Sequence, residues 1–427
     1  MKNMSKFNSN KFIILILKLM LLFSTFTLFK IGDISYFIVF QLIFCLVSII
    51  LYKSISMVHS KLLYLYFAEM FLSMLSGIIW NFSESYKKAA IFMSLLLLLT
   101  LISSMYISRL IKNNPQYVNV ITDMIRIALI IQCCWIIIQF LIHATTGIDI
   151  NEFVFVKMLH TTDDASFVRA WVWYPAGLCH HPAVLAPLFV MGICLFKNPI
   201  GKALVTVASV LCGNSTAMLG VIAVIIYEVA SNLNKKNIIK KIKKKQLIIF
   251  TIGIIGLFFL VFKTNITDGI VERTNHLIER IALGAESDSS TKAHIQYYLD
   301  YIDIARKSNL FQLLFGCGEG CSGMWASLMY DRYSSLGNWS IECDFINILV
   351  NRGIVGFMLY YMFLIQIALR GRKINAKYTI VMAVIIFQGL TYNVQWNYIL
   401  MIEIFMYCAI CYKIDIFDNR VLNYRKE

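Results

Sequence analysis

Read along the chain, apolar residues come in runs of about 15–23, close to the length of a helix that crosses a bilayer, and polar or charged stretches separate them. The runs predict spans at 12–29, 34–52, 62–80, 89–107, 120–142, 182–196, 203–212, 215–230, 247–263, 345–369, 378–394 and 397–412. The expectation is an all-α, polytopic integral membrane protein with about twelve transmembrane helices, residues 1–427 forming a single membrane domain. The first run follows a basic leader but no small-residue cleavage site follows it, so it reads as a retained helix. Residues 203–230 are too long for one helix, and "CGNST" divides them into two short arms, either a tight helix pair or a re-entrant hairpin beside a polar cavity.

Composition agrees with this pattern. Hydrophobic residues make up 59% of the chain and charged residues 15%, and mean hydropathy is +0.70. The net charge of +15 falls on alternate loops: Lys53 and Lys61, Arg109 and Lys112, Lys197 and Lys202, "KKNIIKKIKKK", and "RGRKINAK". That is the positive-inside rule for an inward N-terminus, and it removes the reason to invoke nucleic acid. Two loops then face outward, 143–181 and the much longer 264–344, the second a large extracytoplasmic helical loop. Large one-sided loops suit the walls of a site. The absence of two similar halves argues against an alternating-access transporter.

The eleven cysteines lack zinc-type pairs, and most lie in apolar runs as small hydrophobes. Only Cys317 and Cys321 of "GCGEGC" are spaced for a loop disulfide. No metal site and no cofactor is expected. Glu69 and Glu403 fall within spans, where a charge needs a partner such as Lys18. Asp123 and Arg126 are spaced to neutralise each other.

Candidate chemistry lies in the outward loops. In "DGIVERTNHLIERIAL", Arg273, His276 and Arg280 share one helical face, and guanidiniums bind diphosphate oxygens bidentately. Residues 290–320 suggest an amphipathic helix with Ile295, Leu299, Ile302 and Ala305 on one side, lying on the outer surface. Arg169 is a further phosphate candidate, beside Trp171, Trp173 and Tyr174. His180 and His181 precede Pro182 and point different ways, so at most one faces a site. Ser340 can cap the helix that opens the tenth span, which places Glu342 in its first turn. Asp344, Asn347 and Asn351 then draw a polar stripe down that helix, and Glu342 or Asp344 is placed to take a proton from a sugar hydroxyl.

Four segments in order, "VRAWVWYPAGLCHHPAVLA", "LCGNSTAMLG", "LLFGCGEG" and "ECDFINILVNRGIVGF", resemble the O-antigen and capsular polysaccharide polymerases, a superfamily that includes the O-antigen ligases. The resemblance covers residues 165–365. It implies a metal-independent glycosyltransferase of the bacterial cytoplasmic membrane that joins undecaprenyl-diphosphate-linked oligosaccharide repeats on the outer face. On that reading Arg169 and Arg273 or Arg280 hold the diphosphate, and the partners are the lipid-linked oligosaccharide, the bilayer, a flippase and chain-length regulators. Glu342-Cys343 stands where ligases carry His-Asn, which favours the polymerase. The interrupted helix has Thr216 where the family often has Arg. The alternatives are an O-antigen ligase and a flippase or transporter without chemistry.

Overall fold

Apolar runs close their backbone hydrogen bonds within themselves, and the described residues fold accordingly as helices. The computed structural model describes residues 2–233 and 289–421, except 33, 53, 57, 59, 82–83, 170–171, 324, 326–340, 342, 391–396 and 419. Among the described residues a helix stands over eleven of the twelve expected spans: α1 Lys2–Phe23, α2 Tyr36–Leu51, α3 Lys61–Trp80, α4 Glu84–Asn113, α5 Tyr117–Thr146, α6 Ala186–Leu195, α7 Pro199–Leu211, α8 Ser215–Leu233, α11 Asp344–Arg372, α12 Lys377–Gly389 and α13 Asn397–Cys411. The expected span 247–263 lies outside the described residues. Two further helices, α9 Ser289–Lys307 and α10 Leu310–Phe315, precede α11. Four helices, α3, α4, α5 and α11, are long and apolar enough to cross a membrane by length and composition. Among the described residues the strands form three antiparallel pairs of two residues each.

The chain divides into two compact units. The first comprises residues 1–17, 40–120 and 288–427. Here α3 packs on α11 and α4, α4 on α13, and α11 on α12. Small residues make the close approach of α3 possible. Ser73, Ser76 and Gly77 share one face, and on that face lies the backbone of the "GCGEGC" segment: a β-carbon on Gly77 would lie 3.1 Å from the Cys317 carbonyl oxygen and from the Gly318 α-carbon. Helix α9 turns Tyr297 and Ile304 inward and leaves Ile295, Leu299 and Ile302 exposed at 49%, 52% and 47%. The stripe expected to lie on a surface does face away from the protein.

The second unit comprises residues 18–39 and 121–287. Every residue of α6 is buried, and it packs on α7 and α8. Asn198 caps α7 by accepting from the Gly201 amide at 3.1 Å, with Pro199 at the first helical position. At "CGNST" the two expected arms form helices α7 and α8, which pack on each other. Gly213, at φ +62, lies against the Tyr174 ring, and Asn214 caps α8 by accepting from the Ala217 amide at 3.0 Å. The turn is thus held by an aromatic ring and a buried amide. Asp123 and Arg126 pair at 2.6 Å, as their spacing predicts.

Candidate functional site

Three of the first unit's buried charges, Glu69, Glu319 and Arg352, lie beside a break in α11. Gly353, at φ +64 and ψ −172, interrupts the helix, a conformation essentially confined to glycine. The break leaves the carbonyls before it without helical partners, and a loop supplies donors. The Cys317 amide donates to the Val350 carbonyl at 2.8 Å and the Gly318 amide to the Asn351 carbonyl at 3.1 Å. From α3, the Ser73 hydroxyl donates to the same Asn351 carbonyl at 2.7 Å and the Ser76 hydroxyl to the Gly316 carbonyl at 2.5 Å.

Asn347 and Asn351, expected on a cavity-lining stripe, instead fasten this loop. The Asn351 side-chain oxygen accepts from the Cys321 and Ser322 amides at 3.1 and 2.8 Å. Its amide donates to Asn347 Oδ1 at 3.0 Å, which also accepts from the Ser322 hydroxyl at 2.5 Å. Both asparagines are buried.

Directly below lies an ion cluster. Arg352, fully buried, donates through Nε and Nη2 to Glu69 Oε2 at 2.8 and 2.7 Å, and through Nη2 to the Tyr66 carbonyl at 2.6 Å. Nη1 reaches Glu319 Oε2 at 3.4 Å. The Tyr66 ring covers the guanidinium at 4.1 Å from its carbon. Burial pushes the Glu319 carboxyl above its ordinary range, and the Arg352 charge opposes that rise. Glu403 receives the Tyr360 hydroxyl at 3.1 Å. The two mid-span acids therefore take an arginine and a tyrosine in place of the expected lysine.

The helix expected to be capped by Ser340 begins later, at Asp344, with Cys343 in the cap position and making no side-chain cap bond. Asp344 is therefore the acid of the first turn. It is buried and accepts from the Tyr361 hydroxyl at 2.8 Å. Ser340 and Glu342 lie outside the described residues, as do Arg273, His276 and Arg280. Cys317 and Cys321, the pair spaced for a loop disulfide, are both free and buried. Burial pushes the Cys321 thiol up to about 12 and raises that of Cys317, so both remain protonated small hydrophobes.

In the second unit, Arg169 stands in a hairpin of Val168–Arg169 with Val172–Trp173. The Trp173 ring stacks on His143 at 4.0 Å and its indole nitrogen donates to Asp149 Oδ2 at 2.6 Å. His181 Nδ1 accepts from the Ala183 amide at 3.0 Å, capping the turn at Pro182–Leu185. The ring of its neighbour His180 is half-buried, and desolvation, with the nearby Lys30 charge, lowers its pKa from 6.5 to about 4.

Sequence reasoning passed over Arg352 and Glu319. The signal for Arg352 was available, since it is a charge within an otherwise apolar run, the criterion that singled out Glu69 and Glu403. A cavity of about 260 Å³ opens on α11 beyond the Gly353 break, lined by Met362, Ile365, Gln366, Leu369 and Arg370, and it holds none of the acids. No protein-family model matches the chain, and no curated protein matches it.

Proposed function

We propose that the chain is a multi-pass membrane glycosyltransferase that polymerises undecaprenyl-diphosphate-linked oligosaccharide repeats at the outer face of a bacterial cytoplasmic membrane. The supporting observation is the bridge through Ser322, Asn347 and Asn351, which fastens the "GCGEGC" loop to the half of α11 that opens at Asp344. Two segments that the polymerase resemblance places in order along the chain are thereby joined by their own side chains.

On this reading Glu342, on the segment entering α11, takes the proton of the acceptor hydroxyl, and Asp344, held by Tyr361, orients that segment. The acceptor oxygen forms the new bond to the anomeric carbon. The bond from that carbon to the lipid diphosphate breaks, and its electron pair leaves with the diphosphate. The departing charge is met by the arginines that the resemblance implies for the diphosphate.

Purified protein in liposomes, given a synthetic lipid-diphosphate-linked repeat unit as its sole substrate, should yield a ladder of repeat multiples on a gel. Glu342→Gln should abolish the ladder while the protein stays folded. Movement of the intact lipid-linked unit across the bilayer without a ladder would favour a flippase. Transfer only to an added lipid A core would favour a ligase.

A further inference from the structure

The cluster of Glu69, Arg352 and Glu319 sets two carboxylates against one guanidinium in the buried interior. Arg352 is 0% exposed, Glu69 3% and Glu319 8%. With both acids ionised, one negative charge would be left uncompensated in a low-dielectric interior, which is the costly arrangement for buried ions. Arginine cannot relieve it by losing its proton, so relief requires a proton on a carboxyl.

The hydrogen bonds show where a proton fits. Glu69 receives both nitrogens of Arg352 on a single oxygen, Oε2. Its other oxygen, Oε1, is buried and has no hydrogen-bond partner. An ionised carboxylate has acceptor sites on both oxygens, and leaving one of them undonated indoors is expensive. Glu69 is therefore not held as a fully satisfied carboxylate. Glu319 meets Arg352 through one longer contact of 3.4 Å.

Among the described residues no other counter-charge pairs with either acid. Helix α3 presents Tyr66, whose ring lies on the guanidinium, and α11 presents Arg352 itself. Where α4 packs against the loop it presents Ala90 and Met93, which do not titrate. Beyond Tyr66, its neighbour Tyr360 lies 5.7 Å away by ring centroids and donates to Glu403. Asp344 is a further acid, held by the Tyr361 hydroxyl. Glu319 is the most exposed of the three and is carried between Gly318 (φ +108) and Gly320 (φ +75), on the loop that caps the broken helix.

We propose that Glu69, Glu319 and Arg352 form a proton-binding site in which the two carboxyls share one exchangeable proton, with Glu319 as its route to solvent. Release moves the proton from a carboxyl oxygen to water and leaves two carboxylates on one guanidinium. Uptake restores a neutral cluster. The two acids titrate as a unit, because each sets the charge felt by the other. This proposal goes beyond the polymerase reading, and its test does not use activity.

The test is infrared spectroscopy of the purified, lipid-reconstituted protein, following the C=O stretch of protonated carboxyl groups at neutral pH. Wild type minus Glu319→Gln and wild type minus Glu69→Gln should each show one such band, because in either variant the remaining acid pairs alone with Arg352 and ionises. The band should shift on transfer to deuterated water. In wild type it should also bleach in one step as pH rises, a reading that stands even if a variant fails to fold. Glu403→Gln, away from Arg352, should leave the band in place. Absence of the band from both differences, its loss in only one variant, or a band that neither exchanges nor titrates would overturn the proposal.

Discussion

Gly353 and Gly316 meet back to back: a β-carbon on Gly353 would lie 2.6 Å from the Gly316 amide nitrogen. Both residues have positive φ, +64 and +81, so neither tolerates a side chain by conformation or by space. Gly353→Ala should destabilise the folded protein by at least about 3 kcal/mol, as backbone strain and overpacking coincide. Gly147→Ala, with positive φ but nothing within 4 Å of the added carbon, should cost only about 1 kcal/mol. Denaturation in mixed micelles measures both, and similar losses would show that crowding at the break contributes nothing.

Removing Arg352 leaves buried acids without their counter-charge. Arg352→Met should lose about 3–5 kcal/mol, the usual penalty for breaking a buried ion pair from one side. Adding Glu69→Met and Glu319→Met should recover much of that loss, since apolar replacement of a whole buried network is often close to neutral. The same unfolding measurement reads both steps.

His180 gives the second unit a sensitivity to acid. Its pKa is lowered from 6.5 to about 4 in the folded protein, so the unfolded chain takes up the proton first as pH falls. Stability should decline between pH 6.5 and about 4 and level off below that window, with no contribution from this residue above it. Thermal unfolding midpoints across the range should show this slope, and His180→Gln should flatten it.

Helix α9 carries its exposed stripe, Ile295, Leu299 and Ile302, beside exposed Arg306 and Lys307 at its C-terminal end. That pattern suits a helix lying in a bilayer interface. With Cys134 and Cys411 changed to Ser, Leu299→Cys in liposomes should react slowly with a membrane-impermeant maleimide and rapidly once detergent is added. Arg306→Cys should react rapidly throughout. Fast labelling at 299 in intact liposomes would place the stripe in water.

Helix positions were legible because a bilayer-length apolar run has few other ways to satisfy its backbone. The run ending at Trp80 needed no knowledge of its partners to be read. What was illegible depended on contacts distant in sequence. The stripe of Asp344, Asn347 and Asn351 was visible, but periodicity does not reveal that a glycine loop thirty residues earlier would occupy it. Ser340 resembled a cap because caps are recognised by residue type, whereas the helix starts at Asp344, where Tyr361 reaches back to hold the carboxylate. Pairing Glu69 with Arg352 required knowing that α3 and α11 pack together, 283 residues apart in the chain.

The loop amides at Cys317 and Gly318 stand in for the donors that the break at Gly353 takes away from α11. In kinetic terms they belong to the helix, since they can exchange with solvent only when that helix opens. Under hydrogen–deuterium exchange these two residues should be protected as strongly as Val350 and Asn351. The slowest-exchanging core of the first unit would then include a loop. Proline at position 317 or 318 would remove a helix hydrogen bond without touching the helix.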